Sequence, residues 1–150
     1  MSGLHYSASY ENQSISATQD LIEITAAAGV PVILHRVEIS WGVTSQEICR
    51  VQILRRSTLG SGGSAVTPVA MNSRNTVAAA CSVARNVTTP GSAGNVLWTY
   101  QQNLVVPVDE LFGLEDLKIV IPGGGRIGIN LASAPAAARN GSATVFFSEV

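Results

Sequence analysis

Side chains alternate in character along residues 31–42, which read PVILHRVEISWG. One set of alternate positions is apolar with a single exception: Ile33, His35, Val37, Ile39 and Trp41. The intervening positions become polar towards the end of the segment. Because successive side chains of a strand point to opposite faces, this period of two predicts a β-strand with one apolar face, which only His35 interrupts.

The same period recurs in seven further segments, which are separated by clusters of glycine, proline, serine and asparagine. These segments are residues 20–27, 47–56, 76–84, 95–102, 117–121, 126–131 and 142–149. Residues 76–84 are rich in alanine and also fit a helix, and residues 109–116 offer a short helical turn. About eight short strands with almost no helix predict an all-β fold: a single-domain, antiparallel, jelly-roll-like β-sandwich.

The chain has 150 residues, which is the size of one domain. Residues 1–19 are polar and weakly patterned, and we interpret them as an N-terminal arm or edge strand, followed by the sandwich domain over residues 20–150. The start of the chain lacks the basic and apolar segments of a signal peptide, so we expect folding in a cytoplasm. Cys49 and Cys81 are then expected to be free and buried.

Charge is scarce in this chain. Charged residues make up 13% of the sequence, the net charge is −1, and Lys118 is the single lysine, whereas soluble globular domains carry roughly 25% charged residues. We therefore expect part of the surface to be buried against other copies or a larger assembly. The alternative is a monomer with a polar, uncharged surface. Neither a basic nucleic-acid footprint nor a membrane-spanning run is present, so neither partner is expected.

Two glycine-rich segments resemble phosphate-binding loops. Residues 123–128, GGGRIG, match the dinucleotide pattern G-x-G-x-x-G, but a site of that kind requires a helix directly after the glycines. The period of two that continues through residues 126–131 predicts a strand there, and hence a hairpin turn at the glycines. Residues 60–64 lack the Gly-Lys-Ser/Thr ending of a P-loop and are predicted to be a flexible loop.

No catalytic, cofactor or metal site is predicted from the titratable residues. His5 and His35 are the only histidines, and together with the two cysteines they show no metal-ligand spacing. His35 is interpreted as a core or interface residue. The acidic pairs at residues 109–110 and 115–116 are interpreted as solvated charges rather than glycosidase-type acids.

Arginine and aromatic side chains supply the candidate interaction residues. Arginine is favoured at subunit interfaces because its guanidinium group makes several hydrogen bonds in one plane; the alternative is ordinary ion pairing with Glu38 and Glu47. Val96, Trp98 and Tyr100 share one face of a predicted strand, where the two rings suit a core, an interface anchor or a platform for a sugar. The predicted subunit or capsid interface comprises His5, Tyr6, Tyr10, Arg36, Arg50, Arg55, Arg56, Trp98 and Tyr100.

Several of these segments occur in an order that is similar to a known family. The order comprises IEI at residues 22–24, PVILHRVEI at 31–39, RVQILRRST at 50–58, GSGG at 60–63, Thr67-Pro68 and the late Trp98. Over roughly residues 20–100 this order resembles the small β-sandwich head-decoration, or cement, proteins of tailed bacteriophages.

The resemblance implies a homotrimer in the virion that sits on the outer face of the head and clamps the major capsid protein, without catalysis. It also implies that residues 1–19 lie on the shell as an arm. A protein that binds only the assembled shell stabilises it by mass action. Two alternatives stay open: a carbohydrate-binding or host-adhesion β-sandwich module of a tail or fibre, and a small β-barrel enzyme that would need His35 in an open pocket beside a carboxylate.

Overall fold

Two antiparallel sheets packed face to face make up the fold. The computed structural model describes residues 4–113 and 117–150, and these form twelve strands and no α-helix. The strands are β1 (Leu4–Ile15), β2 (Gln19–Thr25), β3 (Val32–Trp41), β4 (Ile48–Arg56), β5 (Ser64–Val66), β6 (Val69–Ala70), β7 (Ser82–Val87), β8 (Ala93–Asn103), β9 (Val108–Leu111), β10 (Ile119–Ile121), β11 (Arg126–Leu131) and β12 (Arg139–Glu149).

Strand order confirms the predicted all-β sandwich. The first sheet runs β10-β3-β12-β1-β6, with β9 also paired to β3, and the second runs β5-β7-β2-β11-β4-β8. Leaving out the short strands at the edges, the sheets are β10-β3-β12-β1 and β2-β11-β4-β8, so that consecutive strands β1 to β4 alternate between sheets and the first strand pairs with the last. This is the jelly-roll arrangement of two Greek keys.

The number of strands is twelve rather than about eight. Beyond the eight predicted segments the structure has β1, within the segment predicted as an arm or edge strand, and the short strands β5, β6 and β9. β5 and β6 extend the two sheets on one side, and β9 shares the position next to β3 with β10. The alanine-rich segment 76–84 is extended only from Ser82 onwards, where β7 begins to pair with β2. Short edge strands of this kind carry little periodic signal, because neither of their faces is fully buried.

The alternation predicted along β3 is wrong in its first half. Val32 and Leu34 are buried there, whereas Ile33 and His35 lie on the outer face. The register with β12 shifts at this point: Phe146 pairs with Arg36 but Phe147 pairs with Leu34. A bulge therefore sits at His35 and exchanges the two faces, since one extra residue reverses a period of two.

The N-terminal segment, predicted as an arm or edge strand, is part of the first sheet. β1 pairs with β12 along its length and with β6 only at Tyr6 and Ser7. Tyr6 stacks on Phe147 with ring centroids 5.8 Å apart, and both Tyr6 and Tyr10 are buried in the core. The two tyrosines are thus packing residues rather than the interface residues predicted, because the strand turns them towards the second sheet.

Two predicted local structures also differ. The glycines at 123–125 form a tight turn, closed by a hydrogen bond from the Gly125 amide to the Pro122 carbonyl, but this turn connects β10 of the first sheet to β11 of the second and is not a hairpin. The predicted helical turn over residues 109–116 is extended in its first part, where β9 pairs with β3. Glu115 and Asp116 lie outside the described residues.

A buried ion pair holds the outer face of the second sheet. Asp20 in β2 is fully buried, and Arg56 in β4 donates to its carboxylate with Nε–Oδ2 and Nη2–Oδ1 distances of 3.0 and 2.5 Å. Asn130 donates a further hydrogen bond to Asp20, and a side chain at Gly128 would overlap the same carboxylate. Every oxygen of Asp20 is therefore committed to partners on β4 and β11.

Replacing Arg56 by methionine will lower the free energy of unfolding by roughly 3–5 kcal/mol, because Asp20 is left buried without its cation. Urea unfolding followed by tryptophan fluorescence measures the change. Arg50→Met is the matched control on the same face of β4, where the side chain is exposed, and it will stay within about 0.5 kcal/mol of the native chain. Equal losses in the two variants would contradict this role for the ion pair.

Candidate interaction surface

The long strand β8 forms one edge of the second sheet. It pairs with β4 over Ala93–Asn103, and within the described residues no strand pairs with its other side. Its sequence, AGNVLWTYQQN, contains no charged residue and no proline. Natural sheets block such edges with charges, prolines or short strands. β8 has none of these three protections, although it carries two bulges. Its residues are exposed except for Trp98, which is half-buried, and the two at the C-terminal end.

Two register shifts decide which side chains of β8 face the interior. Trp98 pairs with Ile53 and Tyr100 with Val51, whereas Val96 pairs with Leu54. Directly paired residues share a face, so Trp98 and Tyr100 point inwards and Val96 points outwards. The prediction that Trp98 and Tyr100 share a face is confirmed, but Val96 lies on the opposite face because a bulge at residue 97 separates it from them.

The inward face of β8 extends past the edge of the first sheet. Trp98 and Tyr100 are stacked, with ring centroids 5.8 Å apart and planes inclined by 4°, and Phe112 meets Trp98 edge-on at 6.1 Å. Tyr100 remains 46% exposed although it points inwards. We call the opening between β8 and the β9–β10 edge the open side. It holds a pocket of about 260 Å³ with a mostly apolar lining, to which Glu110 adds one carboxylate; the apolar residues are Leu97, Trp98, Leu111, Phe112, Leu117 and Ile119.

A buried amide ties the far end of β8 to the first sheet. Trp41 Nε1 donates to Gln102 Oε1 at 3.1 Å, and Gln102 Nε2 donates to the carbonyl oxygens of Ile39 and Val106. Gln102 is almost fully buried, so these hydrogen bonds form away from water, where leaving them unmade is costly. These hydrogen bonds therefore fix the C-terminal end of β8 against the first sheet.

Arginines at the edges of the sandwich take different roles. Arg36 pairs with Glu38 and with Asp109 of β9, both at 2.7 Å, and its hydrogen bond to Asp109 lowers the pKa of that carboxyl group. Arg55 donates to the Val120 carbonyl across the sandwich, and Arg56 is in the buried pair. Arg55 and Arg56 thus point to opposite faces of the second sheet.

The predicted interface residues do not form one surface. Trp98 and Tyr100 lie at the open side, whereas Arg50 lies on the outer face of β4. The alternative of ordinary ion pairing applies to Arg36, which pairs with Glu38. Glu47 pairs with Arg139, which is not one of the predicted interface residues. The sequence pattern does not reveal that Leu111 and Phe112 lie beside the rings of Trp98 and Tyr100. Only the pairing of β9 with β3 brings Leu111 and Phe112 next to β8.

Nucleophilic and metal-binding groups are few. Both cysteines are free and buried, as predicted, and burial raises the pKa of the Cys81 thiol to about 12. His35 contacts the Ser148 hydroxyl and the His5 ring. Among the described residues, no three histidine, cysteine, aspartate or glutamate side chains are grouped closely enough to hold a metal ion.

Comparisons with known proteins give no match: none was found among family models, curated proteins or solved structures. Within the part of the chain that the structure describes, no helix is long and apolar enough to cross a membrane. The fold class therefore rests on the strand order.

Cys49 and Cys81 will not react with a thiol reagent such as DTNB at pH 8 in the native protein, because both are buried and burial raises the pKa of each thiol. The absorbance of the released thiolate follows the reaction. In denaturing guanidinium chloride both thiols will react at once, which serves as the control. Stoichiometric labelling of the native chain would show that one of them is accessible.

Proposed function

We propose that this chain is a non-enzymatic structural protein whose copies associate through the open side, as a decoration protein on a phage head. The observation that carries the proposal is the exposed, uncharged edge of β8 beside an apolar opening. Monomeric proteins rarely leave large apolar patches uncovered, and such patches mark interaction sites. The assignment of the phage head as the location is supported by the resemblance seen in the sequence.

The scarcity of charge on β8 favours another copy of this chain as the partner that covers the open side. β8 carries no charge and Glu110 is the charged residue of the pocket lining. Two copies therefore repel each other little at this surface, and a strongly charged partner would find few charges to pair with. The edge also presents unpaired backbone groups that a neighbouring chain can use. The low overall charge of the sequence, 13%, agrees with a surface that is partly covered by other copies.

The size of the open side suits a stable contact. Eleven residues of β8 extend roughly 36 Å at about 3.3 Å per residue, and a standard interface takes about 800 Å² from each partner. A contact strip of that length reaches this area with a width of only about 22 Å. The side of a sandwich, with two sheets about 10 Å apart and their side chains, has roughly this width. The contact would cover about a tenth of the total surface of 7646 Å².

A trimer requires each copy to use two different surfaces, because the contacts of a threefold ring run head to tail. The side of the sandwich opposite β8 offers the second one. There β6 and the segment after it expose Val69, Met71 and Val77. We place the open side of one copy against this apolar segment of the next, and repetition around the ring and over the head multiplies each weak contact.

Carbohydrate binding is the second candidate, and the exposure of Tyr100 favours it. A sugar stacks on a free aromatic face. One face of the Trp98 ring stacks on Tyr100, and Trp98 meets the Phe112 ring edge-on. The face of Tyr100 that is turned away from Trp98 is therefore the platform for a sugar. A glycan array with the native chain and with Tyr100→Ala tests this function, and the absence of any signal would remove it.

Light scattering after size exclusion will give three times the monomer mass of 15.6 kDa. Leu111→Lys will shift the mass to that of the monomer, because it places a charge in the open side, where Leu111 is 68% exposed. Leu59→Lys is the matched control, since Leu59 is equally exposed at 66% but lies in the loop after β4, and it will leave the trimer intact.

Val69→Lys separates the possible symmetries. It will also break a head-to-tail trimer, because Val69 lies on the second surface, whereas a twofold dimer that pairs two open sides would survive it. A native chain that is monomeric at micromolar concentration, or a trimer that is indifferent to Leu111→Lys, would contradict the proposed interface.

A further inference from the structure

The two histidines of the chain lie together on the outer face of the first sheet. His5 is in β1 and His35 in β3, on either side of β12. Their ring centroids are 5.4 Å apart and their planes are inclined by 36°. The bulge in β3 creates this proximity, because it turns His35 outwards at a position where regular alternation would bury it.

The separation of the rings matches two imidazoles that bind one ion. Metal–nitrogen distances to histidine are about 2.0–2.1 Å, and tetrahedral geometry then places the two ring centroids about 5 Å apart. The observed 5.4 Å is close to this value. His5 is exposed, so its ring is free of the core packing that would fix its orientation.

Ser148 supplies a hydrogen-bond partner that can orient the His35 ring. It lies on β12 between the two rings, opposite His5 in the register, and its Oγ is 2.8 Å from His35 Nε2. When Nε2–H donates this hydrogen bond, the lone pair of Nδ1 is left for a ligand. Metal-bound histidines characteristically fix their second nitrogen in this way.

The surroundings admit an ion from solvent. A pocket of about 230 Å³ lies beside the rings and is lined by Met71, Phe146 and Phe147 in addition to the histidines and Tyr6. Lys118 lies close enough to His35 for its charge to act on that ring, and it opposes the charge of an approaching cation.

We propose that His5 and His35 form a binding site for a divalent late transition-metal ion, of the copper, nickel and zinc class, with water completing the coordination. Imidazole nitrogens suit these ions, whereas magnesium and calcium prefer oxygen ligands. The site lies on the outer face of the first sheet, and Met71 of the second trimer surface lines its pocket, so the test reads metal binding itself rather than the oligomeric state.

Isothermal titration of the full chain without a polyhistidine tag tests the site, with Cu²⁺, Zn²⁺ and Mg²⁺ as the ions. We expect one Cu²⁺ or Zn²⁺ per chain and no binding of Mg²⁺. His5→Ala and His35→Ala will each weaken binding roughly 100-fold, because the second imidazole acts at a high effective concentration. Ser148→Ala will weaken it by about tenfold, through loss of the hydrogen bond that orients His35.

Circular dichroism of each variant checks that the fold is retained, and His5 is exposed enough for its loss to leave the core intact. Electron paramagnetic resonance of the Cu²⁺ complex provides a second measurement, in which two nitrogen ligands are expected in the native chain and one in His5→Ala. The proposal is overturned when the native chain binds neither ion, or when the His5→Ala and His35→Ala variants bind as tightly as the native chain.

Discussion

The sandwich depends above all on strand β12, which pairs with β1 on one side and with β3 on the other. Without it the first sheet would lose its centre. Its alternate side chains Ala143, Val145 and Phe147 are buried between the sheets. Near its end, the Glu149 carboxylate accepts hydrogen bonds from the amides of Ala80 and Cys81, which ties the segment before β7 to the first sheet.

Most of the fold follows from a period of two in hydrophobicity, and the two strands whose faces differ from the prediction, β3 and β8, share one physical cause. Strands β2, β4, β11 and β12 are where the pattern places them because each has one continuous buried face. The faces of β3 and β8 change at bulges, near His35 and residue 97, and a bulge is set by the register with a partner strand rather than by local sequence. In β1, the alternation of Tyr6, Ala8 and Tyr10 carries a usable signal that the polar residues around it obscure.

The surface features were accessible from the sequence only in part. Trp98 and Tyr100 stand out as a pair on one strand, and their shared face follows from alternation alone. Leu111 and Phe112 join them through strand pairings that connect distant parts of the chain. The same is true of His5 and His35, which are brought together across β12 by register and by a bulge, so no spacing in the sequence could have indicated them.

The pairing of the first strand with the last has a consequence for synthesis on the ribosome. The chain emerges from its N-terminus, and β1 carries buried tyrosines long before residues 139–149 exist to cover it. At a translation rate of roughly 5–20 residues per second, β1 waits on the order of ten seconds for its partner. During that interval chaperones and neighbouring nascent chains can bind the apolar side chains of β1. The yield of folded protein therefore depends on what covers β1 until β12 has been synthesised.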